Sequence, residues 1–278
     1  MGTSTSYGGP IGISHLLPPW ADGATSDADG VNGSGDDGSS PEPRPQPLPV
    51  QHLVSWATPK GNLTRWARGT GSRSLRSVAR SYVAANGGSR TAARSAVSGQ
   101  AATGRLGRFL ATGARSGFAA AAEAILGLRN LVGRDAQSVL AAVVDAIAPA
   151  GALREEAITR VAMIETLTDM FDQCDVDAGG IAAFDALDAH GVGQVIMQSV
   201  VNYVYTRFQQ ELVNRIESGT TTERAANTLV AQAKEFFASV LRLDLAGFDV
   251  LAVDWHGNQG QRIVSRLFEA AYALLGGE

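Results

Sequence analysis

Val195-Ile-Met-Gln-Ser-Val-Val-Asn-Tyr-Val-Tyr-Thr-Arg-Phe-Gln-Gln-Glu-Leu-Val-Asn-Arg-Ile216 is the most regular stretch of the chain. Ile196, Val200, Val204, Phe208, Leu212 and Ile216 return every fourth residue, the spacing that stacks side chains on one face of an α-helix. The same grammar extends outward in both directions. Asp135 is placed to cap a helix burying Val139, Leu140, Val143, Val144 and Ile147, closed before Pro149. Ile158, Val161, Ile164, Leu167 and Phe171 form another expected apolar face, ending at the acidic loop Asp172–Gly180. Thr220-Thr-Thr-Glu223 reads as a capping box opening a helix with Leu229, Ala233, Phe236 and Val240 inside, and Gln261–Leu275 as a final amphipathic helix.

Upstream the helical pattern persists with smaller residues. Ser72–Asn86 is expected to stop at Gly87-Gly88, with Ser89 capping the next segment. Thr103–Arg129 reads as one long helix or a pair, in which Gly104, Gly107, Gly113 and Gly117 permit close helix–helix approach. Val50–Arg68 places Trp56 and Trp66 around a Pro59-Lys60-Gly61-Asn62 turn, with the tryptophans docking the chain onto the body. No strand pattern and no internal repeat is found. The fold class expected is all-α: an irregular helical bundle preceded by a disordered N-terminal arm and an acidic, proline-rich linker.

Charge divides the 278 residues further. Residues 1–48 carry a net −5, residues 49–129 carry +11 and residues 130–278 carry −10. The expected organisation is therefore a recognition arm at 1–20, a linker at 21–49 and a helical domain at 50–278, basic over 50–129 and acidic over 130–278. The linker is Gly/Ser-rich with Asp22, Asp27, Asp29, Asp36 and Asp37, then Pro-Glu-Pro-Arg-Pro-Gln-Pro, a flexible coil followed by a stiffer spacer. A single cysteine, Cys174, excludes an internal disulfide framework and fits a reducing cytoplasm. No window of about 18 apolar residues is free of charge, so no membrane span is expected.

The arm is where function is expected. Gly2-Thr-Ser-Thr-Ser-Tyr-Gly-Gly-Pro-Ile-Gly-Ile-Ser-His-Leu-Leu-Pro-Pro-Trp20 lacks the basic and apolar regions of a secretory signal. Glycine and proline interrupt every window long enough for regular structure, yet Tyr7, Ile11, Ile13, Leu16, Leu17 and Trp20 are anchors a plain linker lacks. Removal of Met1 would expose the Gly2 α-amine, whose ordinary pKa of roughly 7.7–8.0 leaves a nucleophilic neutral fraction at physiological pH. Met-Gly-Thr-Ser-Thr-Ser also fits a myristoylation pattern. One acyl chain holds a membrane only marginally without a polybasic partner, however, and the following segment is acidic.

Met1-Gly-Thr-Ser-Thr-Ser-Tyr-Gly-Gly-Pro10 and Leu16-Leu-Pro-Pro-Trp20 resemble the opening of the QatB family of bacterial Qat anti-phage systems. The similarity continues through the Ser/Arg/Gly-rich stretch Ser72–Arg115, Leu131-Val-Gly-Arg-Asp-Ala, Glu165-Thr-Leu and Asp254-Trp-His-Gly-Asn-Gln-Gly-Gln-Arg-Ile-Val. The resemblance implies a non-enzymatic component that acts beside an ATPase, a TatD-like nuclease and a QueC-like enzyme of the QatC type. It also implies that the QueC-like partner uses ATP to join a deazaguanine carboxylate to the Gly2 amine. ATP and the deazaguanine would then sit on that partner, and this chain would need no cofactor of its own. On this reading Thr3, Ser4, Thr5, Ser6, Tyr7, Gly8, Gly9 and Pro10 thread the partner's tunnel. Leu17, Pro18, Pro19 and Trp20 dock outside it, with Trp20 as an interface anchor.

A rival function lies in the basic segment. Arg73, Arg76 and Arg80 fall at i, i+3 and i+7 on one helical face, and Arg90, Arg94, Arg105, Arg108 and Arg115 follow. Such an array suits phosphate-backbone binding, giving a nucleic-acid-binding adaptor as the alternative. The other reading of the same array is electrostatic docking onto the acidic half, the acidic linker or an acidic protein partner. Few aromatics are interleaved, which argues against base stacking. Asp175 opens a calcium-like loop, but Ala186 stands where a bidentate Glu is required. His15, His52, His190 and His256 are scattered without metal spacing. Asp254-Trp-His reads as a structural corner, and Leu274-Leu-Gly-Gly277 as a glycine helix stop. No Walker A loop, dinucleotide fingerprint or nucleophile elbow occurs.

Overall fold

In a computed structural model, residues 56–69, 74–174, 180–212, 223–245 and 247–277 are described. The arm, the linker, Arg73, Ile216, Thr220 and residues 175–179 of the acidic loop lie outside them. The helices are α1 Ala57–Ala67, α2 Leu75–Ala85, α3 Ser89–Arg94, α4 Val97–Ser116, α5 Phe118–Leu126, α6 Ala136–Ile147 and α7 Arg154–Gln173. After a 3-10 turn at Gly180–Ala186 come α8 Ala189–Leu212, α9 Glu223–Val240 and α10 Asn258–Gly276. Among the described residues there is no strand, and the all-α expectation holds.

The periodic stretch forms α8, and the structure gives it more than one buried face. Every residue from Ser199 to Phe208 is buried, because α4, α7 and α10 surround it, with α1 and α9 adding further contacts. A helix enclosed on all sides brings its polar groups inside, where most need partners; Thr206 Oγ1 is buried without one among the described residues. Asn202 Nδ2 donates to Thr166 Oγ1 at 3.0 Å, and Ser199 Oγ lies 3.2 Å from Thr103 Oγ1. Arg207 Nε donates to Glu211 Oε1 at 3.2 Å, its Nη1 to the Ala92 carbonyl at 3.3 Å and its Nη2 to Asn86 Oδ1 at 3.3 Å. The Tyr82 hydroxyl donates to Glu211 Oε2 at 2.9 Å. Burial above all pushes the Tyr82 phenol well up and that of Tyr272 to about 12, so both remain neutral.

Local signals explain most boundaries. Ser74 caps α2 through Ser77 N, and Asp135 caps α6 by accepting from Ser138 N at 2.8 Å. Gly87 and Gly88 stop α2 at φ of 80° and 88°, values that favour glycine. Gly88, not Ser89, holds the N-cap position of α3, so the expected Ser89 cap is replaced. The long Thr103–Arg129 candidate is a pair, broken at Gly117 with φ of 87°. The α4 start lacks a local side-chain cap. Instead Glu155 of α7 accepts from Ser98 N and Gly99 N at 3.0 and 3.1 Å, and from the Tyr203 hydroxyl at 2.8 Å.

Three expectations need correction. The Pro59-Lys60-Gly61-Asn62 turn is helix: Pro59 sits in the first turn of α1, where its missing N–H has no partner to lose. Trp56 does dock, edge-on to Tyr82 at 6.0 Å. In α7, Val161 and Ile164 are 42% and 40% exposed. Both lie on the side of the helix opposite the buried stripe centred on Thr159, Ala162, Thr166 and Met170. In α9 the fully buried ring is Phe237, with Phe236 only partly covered.

Close approach at glycine sets the first testable consequence. A Cβ on Gly107 would lie 2.6 Å from the Trp255 ring, whereas one on Gly104 meets nothing nearer than 3.8 Å. Gly107→Ala is expected to destabilise by about 1–3 kcal/mol through overpacking. Gly104→Ala should be neutral or gain up to about 1 kcal/mol of helix propensity. Urea unfolding of both variants checks the contrast.

Glu165 supplies a second. Its Oε2 is buried without a hydrogen-bond partner among the described residues, 3.9 Å from Lys234 Nζ. Burial raises its carboxyl pKa above the ordinary 4.5, opposed by Lys234 and reinforced by Asp169. A folded pKa above the unfolded one means stability falls as pH rises from 4.5 through the folded value. Glu165→Gln removes that loss, so the variant should gain on the native protein as pH rises, most at neutral pH. Denaturation midpoints at pH 4.5 and 7 test it; an equal difference at both would show a carboxyl that titrates as in the unfolded chain.

Candidate functional site

Gly2, Thr3, Ser4, Thr5, Ser6, Tyr7, Gly8, Gly9, Pro10, Leu17, Pro18, Pro19 and Trp20 lie outside the described residues, as does Arg73. Arg76 and Arg80 are exposed on α2, and Arg90 and Arg94 on α3. Arg80 reaches the end of α10, close enough that a Cβ on Gly277 would meet its Nε at 2.6 Å. Arg90 Nε pairs with Glu269 Oε1 of α10 at 2.8 Å, an exposed ion pair worth no more than about 1 kcal/mol.

Arg90 and Arg94 belong to a larger surface feature. Two clefts of about 610 and 540 Å³ lie along the seam where α10 packs on α3 and α4, and a third of about 560 Å³ adjoins them on the face of α10 alone. Ser265 lines all three, and its hydroxyl donates to Gln100 Oε1 at 2.6 Å, tying α10 to α4. Together they form one furrow bordered by six arginines: Arg90 and Arg94, Arg105 and Arg108, Arg262 and Arg266. Glu269 is the one carboxylate on its lining, with His256 exposed at one end. Arg105 is braced on the Ile147 carbonyl at 2.9 Å and Arg262 on the Asn258 carbonyl at 3.1 Å. Among the described residues Arg94, Arg108 and Arg266 make no hydrogen bond or ion pair.

The floor at one end is the Asp254–Val264 stretch. Asp254 Oδ1 accepts from His256 N at 3.2 Å and Gly257 N at 3.1 Å, closing a tight turn. That turn buries Trp255, whose Nε1 donates to the Val250 carbonyl at 2.9 Å. Gly260 then lets α10 start against it, since a Cβ there would lie 2.4 Å from Trp255 Cα. The corner expected from the sequence is therefore structural, and it sets where Gln261, Arg262 and Ser265 face the furrow. Leu131-Val-Gly-Arg-Asp-Ala is likewise a packing device, with Leu131 buried and Gly133 turning the chain into the Asp135 cap.

The arginine row read from residues 73–115 is thus only part of what the fold assembles. Arg76 does not border the furrow, while Arg262 and Arg266 come from the half of the sequence counted as acidic. Their i, i+4 spacing on the polar face of the last helix was the available signal, masked by the net charge of the segment. Functionally, the furrow is a row of cations open to solvent, with Arg90, Arg105 and Arg262 braced. It suits an extended anion.

Of the comparisons with known proteins, no curated protein and no solved structure matches the chain. A family model described as "Qat anti-phage system associated protein QatB" matches residues 87–275, about two thirds of the 278 residues. The match runs from the end of α2 into the last turn of α10, and so takes in the whole furrow and the helix that the bundle encloses. The chain belongs to the QatB family of Qat anti-phage system proteins.

Proposed function

We propose that this component of an anti-phage defence system serves as the protein substrate of a QueC-like enzyme of the QatC type, with the Gly2 amine as acceptor. ATP bound by that partner activates the carboxylate of a deazaguanine. The neutral amine attacks the activated carbonyl carbon, a C–N bond forms, the activating group leaves with its oxygen and the amine loses a proton. Thr3–Pro10 pass through the partner's tunnel, and Leu17, Pro18, Pro19 and Trp20 hold the arm at its mouth. The helical body acts as carrier, non-enzymatic and cytoplasmic, and the system's ATPase and TatD-like nuclease are further partners.

One observation carries this reading: the run Gly2-Thr-Ser-Thr-Ser-Tyr-Gly-Gly-Pro10, in a chain of the QatB family. Every side chain ahead of Tyr7 in that run is small, which allows a backbone to enter a narrow site amine first. Family membership supports a role inside a multi-component system, where a terminal acceptor would meet its enzyme.

Intact-mass measurement with and without the co-expressed QueC-like enzyme tests the proposal. The expected result is a mass gain only in the presence of that enzyme, localised to Gly2 by fragmentation of the whole chain. Deleting residues 1–20 should abolish both the gain and binding to the partner. An unchanged Gly-terminated mass in both samples would overturn the acceptor role.

A further inference from the structure

We infer that the furrow between α10 and the α3–α4 pair is a binding surface for duplex nucleic acid, gripped through its phosphate backbone without sequence readout. Six guanidiniums face one carboxylate along the lining, and three of them, Arg94, Arg108 and Arg266, have no partner among the described residues. From Val97 to Arg108 the α4 edge extends for about 16 Å at roughly 1.5 Å per residue. Arg90 with Arg94, and Arg262 with Arg266, are i, i+4 pairs whose side chains start about 5–6 Å apart. A duplex presents one charge per roughly 3.4 Å along each strand, so a row of this length and spacing meets several phosphates. All six cations are arginines, whose planar forks match phosphate oxygens in pairs.

The lining also discriminates among polyanions. Protein interfaces concentrate aromatic residues and methionine at their centre, but the apolar residues here are small or aliphatic apart from Trp255. Trp255 is 4% exposed and committed to the Val250 carbonyl, so it cannot stack on an unpaired base. His256 at one end is then the one exposed ring on the lining, too little for a stacking track. Single strands are held mainly by such stacking. A duplex keeps its bases stacked on each other and offers phosphates alone, which is what this furrow can use. Nothing in the inference depends on modification of Gly2, and the partner enzyme is left out of its test.

Fluorescence anisotropy of the full chain with a labelled 20-base-pair duplex decides it, with the single strand of the same sequence and poly-glutamate as competitors. Binding at 50 mM salt should weaken by about fortyfold at 200 mM if three phosphates are engaged. The Arg94→Glu/Arg108→Glu/Arg266→Glu variant should lose at least tenfold in affinity. Arg129→Glu/Arg134→Glu/Arg242→Glu, which changes net charge equally away from the furrow, should lose less than threefold. Helical circular dichroism checks folding; if the triple variant unfolds, the single Gln variants serve, each lowering the salt slope by about one. Absence of binding at 50 mM salt, equal losses in the two triple variants, or competition by single strand or poly-glutamate as strong as by duplex would each overturn the inference.

Discussion

The enclosure of α8 is the constraint on which the remaining structure depends. Ten successive residues with no solvent-facing side leave its polar atoms no water to fall back on, so they pair with neighbouring helices or within α8 itself. Among the described residues of the helix Thr206 Oγ1 alone is buried without a partner. Arg207 is the most demanding. Its guanidinium draws Asn86, the Ala92 carbonyl and Tyr272 around itself, while Glu211 balances its charge and is held in turn by Tyr82. Removing one member of such a buried pair costs about 3–5 kcal/mol because the other is stranded. This cluster thereby fixes the relative positions of α2, the α2–α3 junction, α8 and α10, and so the two sides of the arginine furrow.

The class of fold was readable because its signals are local. Four-residue spacing, the Asp135 cap and the Gly87-Gly88 stop each act within a turn or two of the helix they define. What escaped reading depends on distant chain segments. Glu155 caps α4 by accepting from Ser98 N, 57 positions earlier, and no pattern near Val97 announces it. Pro59 is compatible with helix because it falls in the first turn of α1, where its missing N–H has no partner to lose, so Pro-Lys-Gly-Asn need not turn. Val161 and Ile164 look internal by apolar character, but the buried stripe of α7 is centred on the small or polar residues Thr159, Ala162 and Thr166, which hydrophobicity alone does not mark.

The candidate site divides in the same way. The N-terminal arm is legible as composition and as a family-like motif, since its chemistry lies in one amine and the small residues behind it. The furrow is a product of tertiary packing. Sequence bookkeeping splits the chain into a basic and an acidic half, but the fold mixes them: Arg90 meets Glu269, Glu155 caps α4, and Arg262 and Arg266 join Arg94 and Arg108. Among the described residues the one ion pair between the two halves is Arg90 with Glu269. A patch of one sign therefore survives on a chain of net charge −4.

The last helix packs against α2 and α3 as well as α4 and α8. Its contacts thus bridge nearly the full length of the folded sequence. During translation the early helices must wait, with their apolar faces uncovered, until α10 clears the ribosome, and closures of such long range are slow. Prematurely terminated chains lack one whole wall of the cationic groove. The groove thus exists only where helices from opposite ends of the described sequence have met, and loosening of α10 would open it along its length.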